Sequence, residues 1–147
     1  MYYHCYSLDS LWVDYDWWDN CSTVKSEALA SASTYNNGGN DIDIYTTSTW
    51  TDHGFYATNL GSYSVLVQAT YPTIQQAYVR MNNLIHWSTS NACDFANGYN
   101  IEWLVNHEFG HTVGLKHTTG TSVMVENCAS TWSTVQTHDD AVLDSKY

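Results

Sequence analysis

The sequence predicts a mixed α/β (α+β) fold with the order strand, helix, several strands, helix, irregular loop, helix. Short segments that alternate apolar and polar residues predict the strands, and longer segments with apolar residues at helical spacing predict the helices. The length of 147 residues suits one unit that can bury its own core. We therefore expect a single domain over residues 1–147, with an upper lobe over about 1–114 and a lower lobe over about 115–147.

The first half of the chain predicts one helix among several strands. SLWVDYDWWD and DIDIYTTS alternate as strands do, and between them STVKSEALASASTYNNGG has apolar residues at near-helical spacing. Three further strands follow, GFYATN (54–59), YSVLVQAT (63–70) and QQAYVRMN (75–82). Pro72 predicts a bend that separates the last two of these strands.

The second half predicts two helices joined by an irregular loop. In NGYNIEWLVNHEFGHTVG, Asn100 is a suitable N-cap, Glu102 suits the first turn, and Gly114 suits the position after the helix end. The C-terminal segment STVQTHDDAVLDSKY predicts the last helix, with Thr137 and Asp140 as an imperfect capping box.

The charge of the chain narrows the choice of partners. Four Lys and Arg stand against fifteen Asp and Glu, which gives a net charge of −11. Such an excess of acid argues against nucleic acid or an anionic membrane as a partner. No apolar run approaches the length needed to span a membrane, and no signal segment opens the sequence. We expect a monomer.

The four cysteines predict disulfides and secretion. Cys5, Cys21, Cys93 and Cys128 form no C-x-x-C pair, and an even count in a Lys-poor chain rich in Ser, Thr, Asn and Tyr favours two disulfides. Three pairings are open. We favour Cys5–Cys21 and Cys93–Cys128, since each of these pairs brackets neighbouring segments; four buried free thiols are the alternative.

The segment HEFGHTVGLKH contains the residues from which the sequence predicts a metal site. Two of its histidines, His107 and His111, lie one helical turn apart and can therefore reach one metal ion together. Gly114 can take the left-handed conformation that ends the helix, so that His117 approaches the ion from outside it. Three nitrogen ligands with an open fourth position suit a catalytic zinc, and Glu108 is placed to hold and deprotonate a water.

At these residues the sequence resembles the metzincin zinc endopeptidases, and within them a compact bacterial matrixin. HEFGHTVGLKH fits the extended metzincin signature at every fixed position. TSVM follows, with its methionine where relatives have the methionine turn. QAYVRMNNLIHWSTS and THDDAVLDSKY are similar to matrixin segments in kind and order. The resemblance implies a twisted mixed sheet with one antiparallel edge strand, three helices, and a small C-terminal lobe that carries the third zinc ligand.

The resemblance also implies a role for each residue of the signature. It implies one catalytic zinc, held by His107, His111 and His117, with Glu108 as the general base and Met124 as the apolar floor of the methionine turn. Either of the adjacent acids Asp139 and Asp140 would brace that turn; a helix-capping carboxylate is the alternative reading of both. Only Asp52-His53-Gly54 echoes the loops in which relatives hold further ions, so calcium and a second zinc have no support.

A peptide would lie extended along the antiparallel edge strand of such a fold. GFYATN is our candidate for that strand, with Gly54, Tyr56 and Ala57 against the substrate, and YSVLVQAT is the alternative. Relatives wall the main specificity pocket with the segment after the turn, here ENCA (126–129). Four residues are therefore candidates for that pocket: Trp103, Leu104, Glu126 and Asn127. A plain core position is an equal reading of Trp103. Glu126 would favour a basic side chain after the scissile bond, although a solvent-facing role is the simpler reading.

The residue type at position 126 differs from that found in some metzincins. Astacin-like and serralysin-like relatives carry a tyrosine two residues after the methionine, and this chain has Glu126 there instead. We therefore predict a secreted zinc endopeptidase whose oxyanion depends on zinc and Glu108. A zinc amidase acting on cell-wall peptides and a non-catalytic zinc-binding module are the alternatives; the glutamate beside a complete ligand set argues against the second.

Overall fold

The computed structural model describes residues 21–37, 53–58, 60–64, 67–73, 76–128 and 133–146. These residues form three helices and two small sheets, which confirms the α/β (α+β) prediction. The strands predicted at 10–19 and 41–48, and the predicted partner of Cys21, Cys5, lie outside the described residues. No helix in the described part of the chain has the length and apolar character needed to cross a membrane.

The first two helices of the chain pack against each other through buried hydrogen bonds. Helix α1 spans Cys21–Asn36 and helix α2 spans Ile101–Thr112, both where the sequence predicts helices. The Ser31 hydroxyl donates to the side-chain oxygen of Asn106 over 2.7 Å. The Tyr35 hydroxyl donates to the backbone carbonyl of Asn106 over the same distance. Because all three residues are buried, these bonds fix the position of α1 along α2.

The larger sheet corrects the predicted edge strand. Strands β1 (His53–Thr58), β2 (Val67–Thr73) and β3 (Gln76–Asn82) lie in the order β1-β3-β2. β1 runs parallel to β3, whereas β2 runs antiparallel to it. The prediction that GFYATN is the antiparallel edge strand is therefore wrong, and the alternative, YSVLVQAT, contains the first residues of that strand. Only two residues separate β2 from β3 in the sequence, and so short a connection requires antiparallel pairing.

Pro72 lies inside β2 instead of ending it. The register of β2 against β3 shifts between Thr70 and Thr73, so that the strand continues past the proline through an irregularity. Proline has no N–H to donate, and strands tolerate it at such an irregularity or at a sheet edge. The predicted bend is therefore an irregularity within one strand.

A second, smaller sheet leads directly into α2. Strands β4 (Trp87–Ser88), β5 (Cys93–Asp94) and β6 (Gly98–Asn100) lie in the order β4-β6-β5. The disulfide Cys93–Cys128, which is the pairing that the sequence favours, joins β5 to the segment after the last histidine of the signature. At the end of β6, the Asn100 side chain accepts a hydrogen bond from the Trp103 N–H over 3.1 Å. This confirms Asn100 as the N-cap of α2.

Helix α2 is the centre of the hydrophobic core. Its residues Leu104, Val105 and Phe109 are almost completely buried, and the Phe109 ring stacks on that of Tyr35 at a centroid distance of 6.3 Å. The core also receives Val79 and Met81 from β3, together with Val123, Met124 and Leu143 from the C-terminal part of the chain. Leu143 lies on helix α3, Thr137–Lys146.

Helix α2 ends in a turn built around Gly114, as the sequence predicts. Gly114 has a φ of 86°, in the left-handed region that favours glycine. Its N–H donates to the His111 carbonyl, and the Leu115 N–H donates to the Gly110 carbonyl over 2.8 Å. This pair of bonds is the Schellman motif, and it turns the chain away from the helix axis.

Gly110 allows a close contact beneath α2 that the sequence analysis did not identify. A Cβ added at this position would overlap the Met124 sulfur and would lie 2.9 Å from the Tyr35 hydroxyl. Both neighbours are fully buried, so they have little room to move away. The glycine therefore lets Met124 pack directly against the helix backbone.

Gly110→Ala should destabilise the protein by about 1–3 kcal/mol, because the new methyl group overpacks the core. In a helix without this contact, the same change would increase the free energy of unfolding by up to about 1 kcal/mol. The sign of the change therefore tests the contact between Gly110 and Met124. Urea denaturation measures it. The double variant Gly110→Ala/Met124→Ala should lose less stability than the sum of the two single variants. A stabilising effect of Gly110→Ala, or strict additivity, would contradict the packing described here.

Candidate metal centre

Three histidines converge at the C-terminal end of α2. His107 and His111 lie one turn apart on the helix, and their ring centroids are 4.8 Å apart. The turn at Gly114 brings His117 back over them, so that its Nε2 atom lies 3.1 Å from the Nε2 atoms of both other histidines. Of the described residues, these three form the one group of His, Cys, Asp or Glu side chains that could hold a metal ion together.

Hydrogen bonds at the outer ring nitrogens of His107 and His111 determine which ring nitrogen of each faces the centre of the cluster. The Nδ1 atom of His107 lies 2.9 Å from the Val123 carbonyl oxygen, and that of His111 lies 2.9 Å from the Leu115 carbonyl oxygen. A carbonyl can only accept, so each Nδ1 carries the proton and each Nε2 presents a lone pair. Lone pairs crowded together in this way repel each other unless a cation binds between them.

The chemistry of this donor set fits zinc. Zinc binds imidazole nitrogen at about 2.0–2.1 Å, which places tetrahedral ligands roughly 3.4 Å apart, close to the two distances measured from His117. The carbonyl bonds to His107 and His111 are the outer-shell partners that orient zinc-binding imidazoles in other proteins. Hard cations such as calcium and magnesium prefer oxygen ligands, which this group does not supply.

Burial keeps the helix histidines in the neutral form that binds a metal. Burial lowers the pKa of His107 to about 4; the hydrogen bond with the Val123 carbonyl opposes this shift, and His111 and His117 add to it. Burial also lowers the pKa of His111, again against the effect of a carbonyl hydrogen bond, that of Leu115. A neutral imidazole needs to lose no proton before it binds a cation, so at neutral pH these ligands are ready.

The histidines line an open cleft of about 550 Å³, and Glu108 lines it with them. Glu108 follows His107 directly in α2 and is 3% exposed. Its carboxylate therefore reaches the cleft from the helix that carries two of the three histidines. A carboxylate in this position is shielded from bulk solvent by the core yet borders the open cleft.

The walls of the cleft come from four separate segments. The pocket candidates Trp103 and Leu104, from the first turn of α2, and Glu126 and Asn127, from the segment after Met124, all line it. Strand β2 contributes Val67 and Ala69, and the turn before β2 contributes Ser64. The disulfide Cys93–Cys128 anchors the segment that carries Glu126 and Asn127 to the small sheet.

The other three substrate-binding candidates lie on strand β1. Gly54, Tyr56 and Ala57 belong to β1, which pairs with β3 on the side away from β2. Among the strand residues whose side chains the structure describes, Val67 and Ala69 of β2 line the cleft. The sequence alone could not separate the two strands, because both are short strand-like segments and their pairing depends on contacts with a distant part of the chain. The two strands are distinguished by the direction in which each pairs with β3.

Met124 lies in a turn that a buried carboxylate holds in place. Asp139 is 1% exposed and accepts three hydrogen bonds, from the Ser122 hydroxyl, from the Val123 N–H at 3.1 Å and from the Gln136 N–H at 2.9 Å. The Val123 carbonyl in turn bonds to His107. Of the two adjacent acids that the sequence offers, Asp139 is therefore the one bonded to the turn, while Asp140 is only half-buried.

Asp139 also accounts for the start of α3. The helix begins at Thr137, and Asp139 reaches back to the N–H of Gln136, the residue before it. This is the return bond of a capping box, one residue earlier than the predicted pair of Thr137 and Asp140. The Asp139 carboxylate thus makes both kinds of contact that the sequence predicts, one with the turn and one with the N-terminus of α3. The sequence analysis missed Ser122, whose hydroxyl also accepts from the Met124 N–H over 2.9 Å.

Three convergent histidines, two of them on a helix that also carries a buried glutamate, define a metallopeptidase-like protein. The family model described as Matrixin (Peptidase_M10) matches residues 15–146, which is most of the chain. The chain therefore belongs to the matrixin family, as the sequence resemblance implies. Membership in this family implies zinc-dependent endopeptidase activity. No curated protein matches the chain.

Asp139→Asn should destabilise the protein by about 2–3 kcal/mol. The amide removes a charged acceptor from three donors and turns an NH₂ group toward at least one of them. Thermal or urea denaturation measures the loss. The matched control is Asp140→Asn, which removes the neighbouring charge and should change stability by less than about 1 kcal/mol. Equal losses in the two variants would contradict the role of Asp139 as the brace.

Proposed function

We propose that this chain hydrolyses internal peptide bonds with one zinc ion held by His107, His111 and His117. The observation that carries the proposal is the convergence of three imidazole nitrogens beside Glu108 on one open cleft. When bound, zinc supplies Lewis acidity, which polarises a carbonyl and makes a nearby water more acidic. The family supports the metal and the class of reaction.

Glu108 acts as the general base in this proposal. Its carboxylate accepts a proton from the water that attacks the peptide carbonyl and then donates this proton to the leaving amine. Glu108 thus carries the proton from the water, which forms the new C–O bond, to the amine, which leaves as the C–N bond breaks. No other reactant is needed. The position of Glu108 next to His107 in α2 supports this role, because the base and two ligands move as one rigid unit.

The substrate binds as an extended peptide along β2. Among the described strands, β2 has a partner on one side only, β3, and its residues Val67 and Ala69 line the cleft. An unpaired strand edge can add a peptide as a further strand through main-chain hydrogen bonds. This mode accepts many sequences, so selectivity depends on the side-chain pockets formed by Trp103, Leu104, Glu126 and Asn127.

The turn at Ser122–Met124 and Asp139 act on the site indirectly. Asp139 holds the Val123 peptide, and the Val123 carbonyl orients the His107 ring. Met124 fills the space beneath α2 at Gly110, between the two helix histidines in the sequence. We further propose that the protein acts outside the cell, which the disulfide Cys93–Cys128 supports.

Glu108→Gln should lower kcat/KM for a casein-derived peptide by about 10²–10⁴-fold, since the amide cannot take up the proton. Zinc content, measured by mass spectrometry of the purified protein, should stay at the wild-type level, because Glu108 is not a ligand in this proposal. Residual activity near that of the wild type would contradict the role of Glu108. Cleavage of cell-wall peptides without cleavage of casein would instead favour the amidase alternative.

His117→Ala should weaken zinc binding by more than the roughly 10–100-fold that the loss of an outer-shell partner costs, because it removes a direct ligand. Competition with a chromophoric chelator measures the affinity. His86→Ala is the control: His86 is an exposed histidine outside the cluster, and its loss should leave the affinity unchanged. A His117→Ala variant with wild-type affinity would show that the third ligand lies elsewhere.

A further inference from the structure

Helix α3 makes hydrogen bonds to the metal centre's supporting segments from both of its ends. In its first turn, Asp139 accepts from the Val123 N–H, and the Val123 carbonyl in turn binds Nδ1 of His107. At its last residue, Lys146 donates from Nζ to the Gly114 carbonyl over 2.8 Å. Lys146 follows Asp139 by seven positions, which is about two helical turns, so the two side chains leave the same face of α3.

The bond from Lys146 holds the peptide group between Gly114 and Leu115. The carbonyl of this group accepts from Lys146, and its N–H donates to the Gly110 carbonyl over 2.8 Å. Both polar atoms of the peptide group are therefore bonded, so its plane cannot rotate without breaking a bond. The next carbonyl along the chain, that of Leu115, binds Nδ1 of His111 over 2.9 Å. The direction of this carbonyl depends on the peptide plane before it.

Packing constrains this turn less than it constrains the core. A cavity of about 280 Å³ is lined by the turn, through Gly114 and Leu115, and by α3, through Val142 and Lys146. Closely packed side chains hold a backbone in place, whereas an unfilled space supplies no such contacts. Lys146 links the two walls of this cavity with a charged donor, and hydrogen bonds from charged donors are stronger than neutral ones.

We propose that Lys146 is a positioning residue for the metal centre, because its bond to the Gly114 carbonyl holds the turn that orients His111 and brings His117 to the cluster. The proposal rests on the zinc site proposed above and adds to it a residue from outside the histidine segment. In this arrangement, α3 supports one helix histidine from each of its ends. The two charges suit their bonds, since a carboxylate accepts from an N–H and an ammonium group donates to a carbonyl.

The charge of Lys146 and its hydrogen bond have opposite effects on zinc binding. A cation near the site repels a dication, so removal of the charge alone should strengthen zinc binding. Removal of the hydrogen bond should weaken zinc binding, because imidazole ligands that are less well oriented bind a metal less tightly. The sign of the change in zinc affinity therefore separates the bond from the charge.

The first test compares zinc affinities by competition with a chromophoric chelator. Lys146→Met keeps the length of the side chain without its donor and should raise the Kd for zinc by about 3–10-fold, which is the effect of one lost hydrogen bond. Lys146→Arg keeps a donor and should lie closer to the wild type. Lys116→Met is the matched control, because Lys116 carries the same charge and lines the same cavity; its Kd should not rise. An unchanged or lower Kd in Lys146→Met, or an equal rise in Lys116→Met, would overturn the proposal.

The second test needs neither zinc nor catalysis. In the metal-free protein, the NMR chemical shifts of the ring nitrogens report which nitrogen of each histidine carries the proton. Lys146→Met should reduce the population of His111 with its proton on Nδ1 and leave that of His107, which depends on Asp139, unchanged. Equal changes at both histidines would indicate a general loss of stability and overturn the proposal, as would no change at either.

The two tests also distinguish this proposal from the proposed function. If the wild type binds no zinc or cleaves no peptide, the peptidase function fails. The NMR comparison of His111 with His107 in Lys146→Met then decides alone whether Lys146 positions the cluster.

Discussion

The buried carboxylate of Asp139 is the interaction on which the geometry of the metal centre depends. It accepts from the Ser122 hydroxyl and from the backbone N–H groups of Val123 and Gln136. One charge thus joins the start of α3 to the turn that contains Met124. A buried charge is tolerated only when its hydrogen bonds are complete, and here each bond also fixes a backbone segment. Helix, turn and carboxylate therefore form one unit.

This unit reaches the histidines through a single peptide group. The Val123 N–H is held by Asp139, and the Val123 carbonyl binds Nδ1 of His107. The opposite end of the cluster has an equivalent contact, because the Leu115 carbonyl, just past the Gly114 turn, binds Nδ1 of His111. Backbone carbonyls thus set the tautomer of both helix histidines. The orientation of these two rings therefore follows from main-chain acceptors.

The packing beneath α2 and part of the cleft wall above it come from the same helix. On its lower side, Gly110 lets Met124 approach the backbone, and Tyr35 closes the space from α1. On its cleft side, Trp103 stands one turn before His107 with an unpaired donor. Polar groups elsewhere in the described core, such as Asn106, have their partners within the protein.

The sequence by itself determined the features that depend on local chain geometry. The spacing of His107 and His111 follows from the helical repeat, and the N-cap at Asn100 and the left-handed turn at Gly114 follow from residue chemistry. Only the tertiary structure decided which strand runs antiparallel beside β3, because β1 and β2 are both short strand-like segments and differ in their pairing with β3. It likewise chose Asp139 over Asp140 and left the Trp103 nitrogen unpaired. These outcomes depend on contacts between residues far apart in the chain, and no local periodicity encodes such contacts.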